Sequence, residues 1–261
     1  MRSILNSMPP WLLGPLFVGA FVGVTLLVFW CVLRWAGNLR NREYNSTFSN
    51  FVSVVQALFG LTLALVIVTL FQNYRATQSG IRSEAIALAE LARIGTAFPQ
   101  RVNAELRNEI VKGIEDVRMY EWKLLREGRT SDRVWGDVGA MYATLKDYEP
   151  ETASQRAFYG QALSRLDEVV TQRRDTLAAI TEPIPTILQV LLLIAAFVIV
   201  TAPMFVVTVS KRFQAVKVAA MSTVIATALF AATVLDAPFS RALPISNSPY
   251  RASEFDQLAG P

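Results

Sequence analysis

Apolar residues gather in four long runs, at 11–33, 51–71, 184–209 and 218–235, and a long polar stretch divides them two and two. Each run can cross the ~30 Å of hydrocarbon in a bilayer at ~1.5 Å of helix rise per residue. The second run does not stop at the membrane edge. Beyond Phe71 no proline or turn cluster intervenes before Pro99, and Ile81, Ala85, Leu88, Ala92 and Gly95 recur at alternating fours and threes. This spacing predicts one helix over 51–98, its first half in lipid and its second half an amphipathic helix in water.

The polar stretch continues in helical periods. Val102, Leu106, Ile110, Val117 and Leu124 share a face of a helix over 101–127, with Gly128 as its stop. Ser131 and Asp132 are cap candidates for a third helix that carries Trp135, Val138, Tyr142 and Leu145. Thr152 and Gln155 have capping-box spacing before a fourth, with Tyr159, Leu163, Leu166, Val170 and Leu177 inward. No strand alternation occurs. The fold class is therefore all-α: four transmembrane helices (2+2) with an inserted extramembrane helical bundle. The expected divisions are 1–71, membrane helices one and two; 72–183, bundle; 184–235, membrane helices three and four; and 236–261, a polar tail. Pro203 within the third run predicts a kink and frees the carbonyl of Ile199.

Composition agrees with this division. Hydrophobic residues make up 52% of the chain and charged residues 18%, below the ~25% usual for soluble domains. Most charges lie between Arg75 and Glu182, where acids and bases nearly balance. No basic stripe with interleaved aromatics is present, which argues against nucleic acid as a partner. The chain has no histidine and a single cysteine, Cys31. An internal disulfide, a Cys/His zinc site and imidazole acid–base catalysis are thereby excluded. Neither a nucleophile–base set nor a metal-ligand set is visible, so we expect no enzyme, no catalytic residues and no cofactor.

Polar residues inside the runs are few. No charge lies within a span, where it would cost ~2.5–3.5 kcal/mol and usually marks an ion or proton relay. In the second run Ser53, Ala57, Gly60 and Ala64 form a ridge of small residues on one helical face. Gln56 is the one strongly polar side chain well inside it, to be explained by an interhelical hydrogen bond or by a wet pore. Gly19 and Gly23 in the first run, and Ala219, Thr223, Thr227 and Ala231 in the fourth, offer further small faces. Trp11, Trp30 and Trp35 suit interfacial belts.

Four spans place both termini and the bundle on one side. The two short connectors on the other side carry Arg34, Arg40, Arg42, Lys211, Arg212 and Lys217 against Glu43 alone, and Arg2 alone flanks the first run on its N-terminal side. The positive-inside rule predicts the connectors in the cytoplasm and the bundle outside it.

Two stretches carry a family resemblance. One runs from Tyr148-Glu149-Pro150-Glu151-Thr152 to Arg173-Arg174, and the other is Leu235-Asp236-Ala237-Pro238-Phe239 after the last span. Together they resemble the bacterial bestrophin-like family of unknown function, which shares the plan of two spans, helical domain, two spans and a Leu-Asp-x-Pro-Phe turn. The similarity covers about 45–250, although Ser240-Arg241 stands where the family has a small residue and a glycine. The resemblance to bestrophins implies a pentameric anion channel with its helical domain in the cytosol, opposite to the side the charges predict. Glu149 and Glu151 read as carboxylates at a helix N-terminus, not as a calcium clasp.

Two function classes follow. In the first, an oligomeric, anion-preferring channel of the bacterial inner membrane has the second span at its pore. Ser53, Gln56 and Thr62 form a polar wall there, and Phe59 or Leu63 a constriction. In the second, a non-conducting, membrane-anchored scaffold or sensor binds a protein partner. The expected partners are the lipid bilayer, further copies of the chain and, for the channel, an inorganic ion. Asp236 is a turn residue blocked by Pro238, or it pairs with Arg173 or Arg174 to tie bundle to membrane.

Overall fold

The structure is a computed structural model that describes residues 10–35, 45–181, 184–206, 210–251 and 255. Arg2, Arg40, Arg42 and Glu43 of the topology argument lie outside the described residues, as do Glu182, Pro183 and the last residues of the third predicted run. The described elements are helical and contain no strand. The helices are α1 (Pro10–Trp35), α2 (Asn45–Gly95), α3 (Gln100–Asp116, continued by a π turn, Val117–Glu121, and Trp122–Arg126), α4 (Asp132–Lys146), α5 (Ala153–Thr181), α6 (Thr186–Thr201) and α7 (Lys211–Leu235). Four of them, α1, α2, α6 with the short turn after it, and α7, are long and apolar enough to cross a membrane.

The helix ends follow local chemistry. Helix α2 is a single 51-residue rod. It stops at Gly95, three residues short of the predicted end, and Thr96, Ala97 and Phe98 tighten into three-residue turns. A residue before proline is pushed out of the helical region, and the chain turns in anticipation. Gly128 closes α3 with a positive φ of 76°, and Arg129 N–H reaches back to the Leu124 carbonyl at 2.9 Å. A left-handed glycine there satisfies the last carbonyls. The box at α5 is reciprocal: Gln155 N–H donates to Thr152 Oγ1 at 3.1 Å, and Gln155 Oε1 accepts from Thr152 N–H at 3.1 Å.

The third span departs from expectation. It does not kink at Pro203 and run on. Helix α6 ends at Thr201, and a 3-10 turn, Ala202–Phe205, follows. The broken end is satisfied from α7. The buried Gln214 amide donates to the carbonyls of Pro203, Met204 and Val206 at 3.4, 3.1 and 2.9 Å. Irregular backbone at membrane depth is tolerated where protein groups satisfy it. Helix α7 accordingly starts at Lys211, seven residues before the predicted run, and carries Lys211, Arg212 and Lys217 on exposed positions.

Two cores result. The bundle core joins Ile81, Leu88 and Leu91 of α2 to Leu106, Ile110, Met141, Leu145 and Leu166. The membrane core joins Phe29 of α1, Phe59 and Leu63 of α2, Ala196 and Ile199 of α6, and Val218 and Leu229 of α7. Helix α2 belongs to both. The tail corrects the expectation of a polar terminus: Phe239, Ile245, Tyr250 and Phe255 are buried in the bundle core. Their apolar side chains are spaced too irregularly to show a helical period, and the surface that receives them exists only once the bundle has formed.

Candidate functional site

The membrane half of α2 presents different chemistry on different faces. Ser53, Ala57, Gly60 and Ala64 are exposed along one side, and a Cβ on Gly60 would meet nothing within 4 Å. Gly19, Gly23, Thr223 and Thr227 are likewise exposed, so small faces on three spans remain uncovered within one subunit. Close packing inside the subunit uses other residues. Gly14 lies against the Phe230 ring, and the Thr25 hydroxyl donates to Ser222 Oγ at 2.8 Å between α1 and α7.

The five candidate pore residues do not share a face. At ~100° per residue, Thr62 falls across the helix from the Ser53 ridge. Phe59 and Leu63 are buried in the subunit's own membrane core. A constriction built on either is thus turned inward in this subunit. Packing explains this: Phe59 and Leu63 lie on the side facing α6 and α7, whereas the small ridge and other bulky residues such as Leu58, Leu61 and Leu65 are left outside. The Ser53 and Thr62 hydroxyls bond back to the Ser49 and Leu58 carbonyls at 2.8 and 3.0 Å.

Gln56 stands at the border of these faces. Its amide donates to the Ile199 carbonyl of α6 at 3.3 Å and approaches Met221 Sδ at 3.9 Å. Ile199 is the residue whose carbonyl Pro203 cannot serve. A missing backbone donor in one span is therefore replaced by a side-chain donor from another, where an unpaired group in lipid would cost several kcal/mol. Two grooves run along this part of α2, the first of them beside the contact. One, of about 490 Å³, is lined by Gln56, Gly60, Ala64 and Met221. The other, of about 860 Å³, runs past Phe59, Thr62 and Leu192 to Asp236.

Asp236 closes the joint between membrane part and bundle. It lies at the C-terminus of α7 with φ −70° and ψ −7°. Its carboxylate accepts from Ile184 N–H at 3.0 Å and from the Gln189 amide at 3.1 Å, which links the end of α7 to the start of α6. The suggested ion pair with Arg173 or Arg174 is corrected here. Arg173 is buried in the bundle and pairs with Glu84 and Glu121, while Arg174 is exposed near Tyr142. The tail then folds back. Ile245 N–H donates to the Pro238 carbonyl at 3.2 Å, and Phe239 meets Trp122 edge-on with centroids 5.5 Å apart. Among the described residues no non-glycine has a positive φ, so Ser240 and Arg241 need no glycine at this turn.

The bundle also holds a charged site that the helical periodicity does not reveal by itself. Arg173 Nη1 donates to Glu84 Oε1 at 3.2 Å, and Nη2 donates to Glu121. The guanidinium carbon lies 5.4 Å from the Trp135 ring centroid. Glu84, Glu121, Arg173 and Tyr250 are all at most 3% exposed. Burial pushes the Glu84 carboxyl above the ordinary carboxylate range, and Glu121 adds to this; Arg173 and a Tyr250 hydrogen bond oppose it. The signal was there to find. Glu84 sits between Ile81 and Leu88, and Arg173 between Val169 and Leu177, on inward faces. A charge in an apolar slot implies a buried partner. The pairing with Glu121 depends on the π turn, which advances the face by one residue and is not written in the periodicity. Among the described residues no group of three His, Cys, Asp or Glu side chains comes together to hold a metal.

Comparison with solved structures gives the same architecture. A bacterial bestrophin homologue from Klebsiella pneumoniae, in a single-substitution form, aligns with TM-score 0.70 and 14% identity over 95% of this chain and 99% of that one. A second substituted form aligns with TM-score 0.70 and 15% identity, covering 95% and 99%. A crystal structure of that homologue phased on zinc gives 0.69 and 15%, covering 94% and 98%. At such identity these likenesses concern the fold. No curated protein matches the chain. A family model for the bestrophin-like domain matches residues 19–250. That match takes in the second half of α1, the other three spans, the bundle and the Asp236 turn together, and the chain therefore belongs to the bestrophin-like family.

Proposed function

We propose that this chain is the subunit of an oligomeric ion channel in the bacterial inner membrane, anion-preferring, with the Ser53–Ala57–Gly60–Ala64 face of α2 toward the conduction path. The observation that carries this reading is that face: small, continuous and exposed in the single subunit, beside the side of α2 that buries Phe59 and Leu63 in the membrane core. Membership of a channel-like family supports it and gives no support to catalysis. The preference for anions follows the bestrophin resemblance and the exposed Lys211, Arg212 and Lys217 beside the spans. Gln56 is assigned to bracing α2 on α6, and the small faces of α2 and α7 to contacts between copies or to the pore wall.

Conductance of the purified protein in a planar bilayer tests this, beside Gly60→Phe, which places a ring in open space. Wild-type currents with defined reversal potentials, reduced at least ~10-fold by the variant, are expected. A silent bilayer from folded, oligomeric protein overturns the reading. It would favour a scaffold or sensor, for which Met119, 74% exposed on the π turn, and Tyr120 provide an apolar contact surface.

For sidedness we keep the bundle outside the cytoplasm, on the short-loop charges. A cysteine placed at the exposed Ser154 in a Cys31→Ser background should react with a membrane-impermeant reagent in spheroplasts. Labelling only after lysis reverses the orientation and agrees with bestrophins.

A further inference from the structure

Three charged side chains and one phenol meet where the tail crosses the bundle. Glu84 comes from α2, Glu121 from the π turn of α3 and Arg173 from α5. Tyr250, in a 3-10 turn at Ser248–Arg251, hydrogen-bonds Glu84 from the tail. Helix α4 contributes only the Trp135 ring over the guanidinium. With both carboxyls ionised the cluster holds two negative charges and one positive, sealed from water. Charge in such a site is costly unless paired. Tyr250 adds no further negative charge, because burial, and after it Glu84, push its phenol well above its ordinary range and keep it neutral.

The tail also covers this cluster. Trp122 is sandwiched edge-on between Phe239 and Tyr250, at centroid distances of 5.5 and 6.2 Å. Lifting residues 238–251 would remove the Tyr250 hydroxyl from Glu84 and expose the cluster to water. We propose that the segment from Pro238 to Arg251 is a proton-dependent latch, docked on the bundle while the Glu84 carboxyl holds a proton and released when it ionises.

The sign follows from where the charge is tolerated. Docked, the Glu84 carboxyl is held above its ordinary range chiefly by burial. Undocked, it meets water and returns toward that range. Between the two values the docked form binds more protons, so docking is favoured at low pH and weakens as pH rises through the docked value. Nothing in this requires the chain to conduct ions.

Hydrogen exchange of the full-length protein in nanodiscs tests it, following tail peptides across about pH 5 to 9 after correction for intrinsic rates. In the wild type the tail's opening constant should rise by up to ~10-fold per pH unit, the slope of one proton. Peptides covering Ile81 to Ala92 should stay protected throughout. Glu84→Gln should keep the tail docked with no pH slope. Glu121→Gln leaves one carboxylate per guanidinium and should also flatten the slope, which keeps the test decisive where Glu84→Gln fails to fold. A wild-type tail with constant protection overturns the proposal, as does a slope that persists in both variants. Exchange of the bundle peptides in step with the tail overturns it too, since the opening would then be global.

Discussion

The membrane part and the bundle share one helix, α2, but they treat polar groups in opposite ways. In the membrane part the polar side chains chiefly serve backbone: Gln56 the Ile199 carbonyl, Gln214 three carbonyls of the broken span, Ser53 and Thr62 their own helix. In the bundle the charged side chains serve one another, as in Glu84–Arg173–Glu121, Lys112–Asp137 and Arg133–Asp116. The difference reflects the solvent. In lipid, an unsatisfied carbonyl has no water to turn to, so repairing backbone comes first. In water, helices are held by burial of apolar area, and charges enter the interior only in compensating sets.

The largest expected effect lies in the bundle. Arg173→Met leaves two buried carboxylates without their cation and should cost ~3–5 kcal/mol, read as a lowered bundle melting temperature. Near-wild-type melting would mean that the carboxyls take up protons at little cost. A matched pair of cavities sharpens the contrast. Leu91→Ala, at a site with no exposure, should cost ~2–5 kcal/mol in the bundle. Leu63→Ala in the membrane core should cost distinctly less, because the alternative to packing there is lipid and only contact energy is lost. Equal losses in denaturation from micelles would erase the distinction. The smallest effect is expected at Gln56. Gln56→Leu removes a hydrogen bond worth ~0.6 kcal/mol, with an upper range near ~1.7 kcal/mol, and should loosen α2 against α6 without unfolding either. Cysteine cross-linking between those helices would report it. Full loss of folding would mean that the Ile199 carbonyl finds no other donor.

Much of this architecture is legible in the chain. The continuity of α2 follows from the absence of breakers between Phe71 and Pro99, and the end of α3 and the start of α5 from Gly128 and the Thr152–Gln155 box. The candidate site is less so. The sequence identifies Gln56 as the polar group that needs an explanation, but the choice between a pore and a brace depends on where Ile199 lies. Phe59 and Leu63 can be placed on a helical face, but not on the inner or outer one, since lipid makes both faces apolar. In water the contrast between an apolar stripe and a polar face tells inside from outside; in a bilayer that contrast is lost.

By itself the sequence determined what local and solvent-driven rules can carry: four apolar spans, a helical insertion, unpaired cysteine chemistry and the places where helices start and stop. The tertiary structure alone decided which residues meet across long separations. It set Glu84 beside Glu121 through a π turn, returned the tail to Trp122, and gave the freed Ile199 carbonyl to Gln56. These pairings are fixed by the relative rotation and offset of packed helices. Neither the 3.6-residue period nor composition encodes those quantities, and so the interior chemistry of this protein becomes visible only once the helices are assembled.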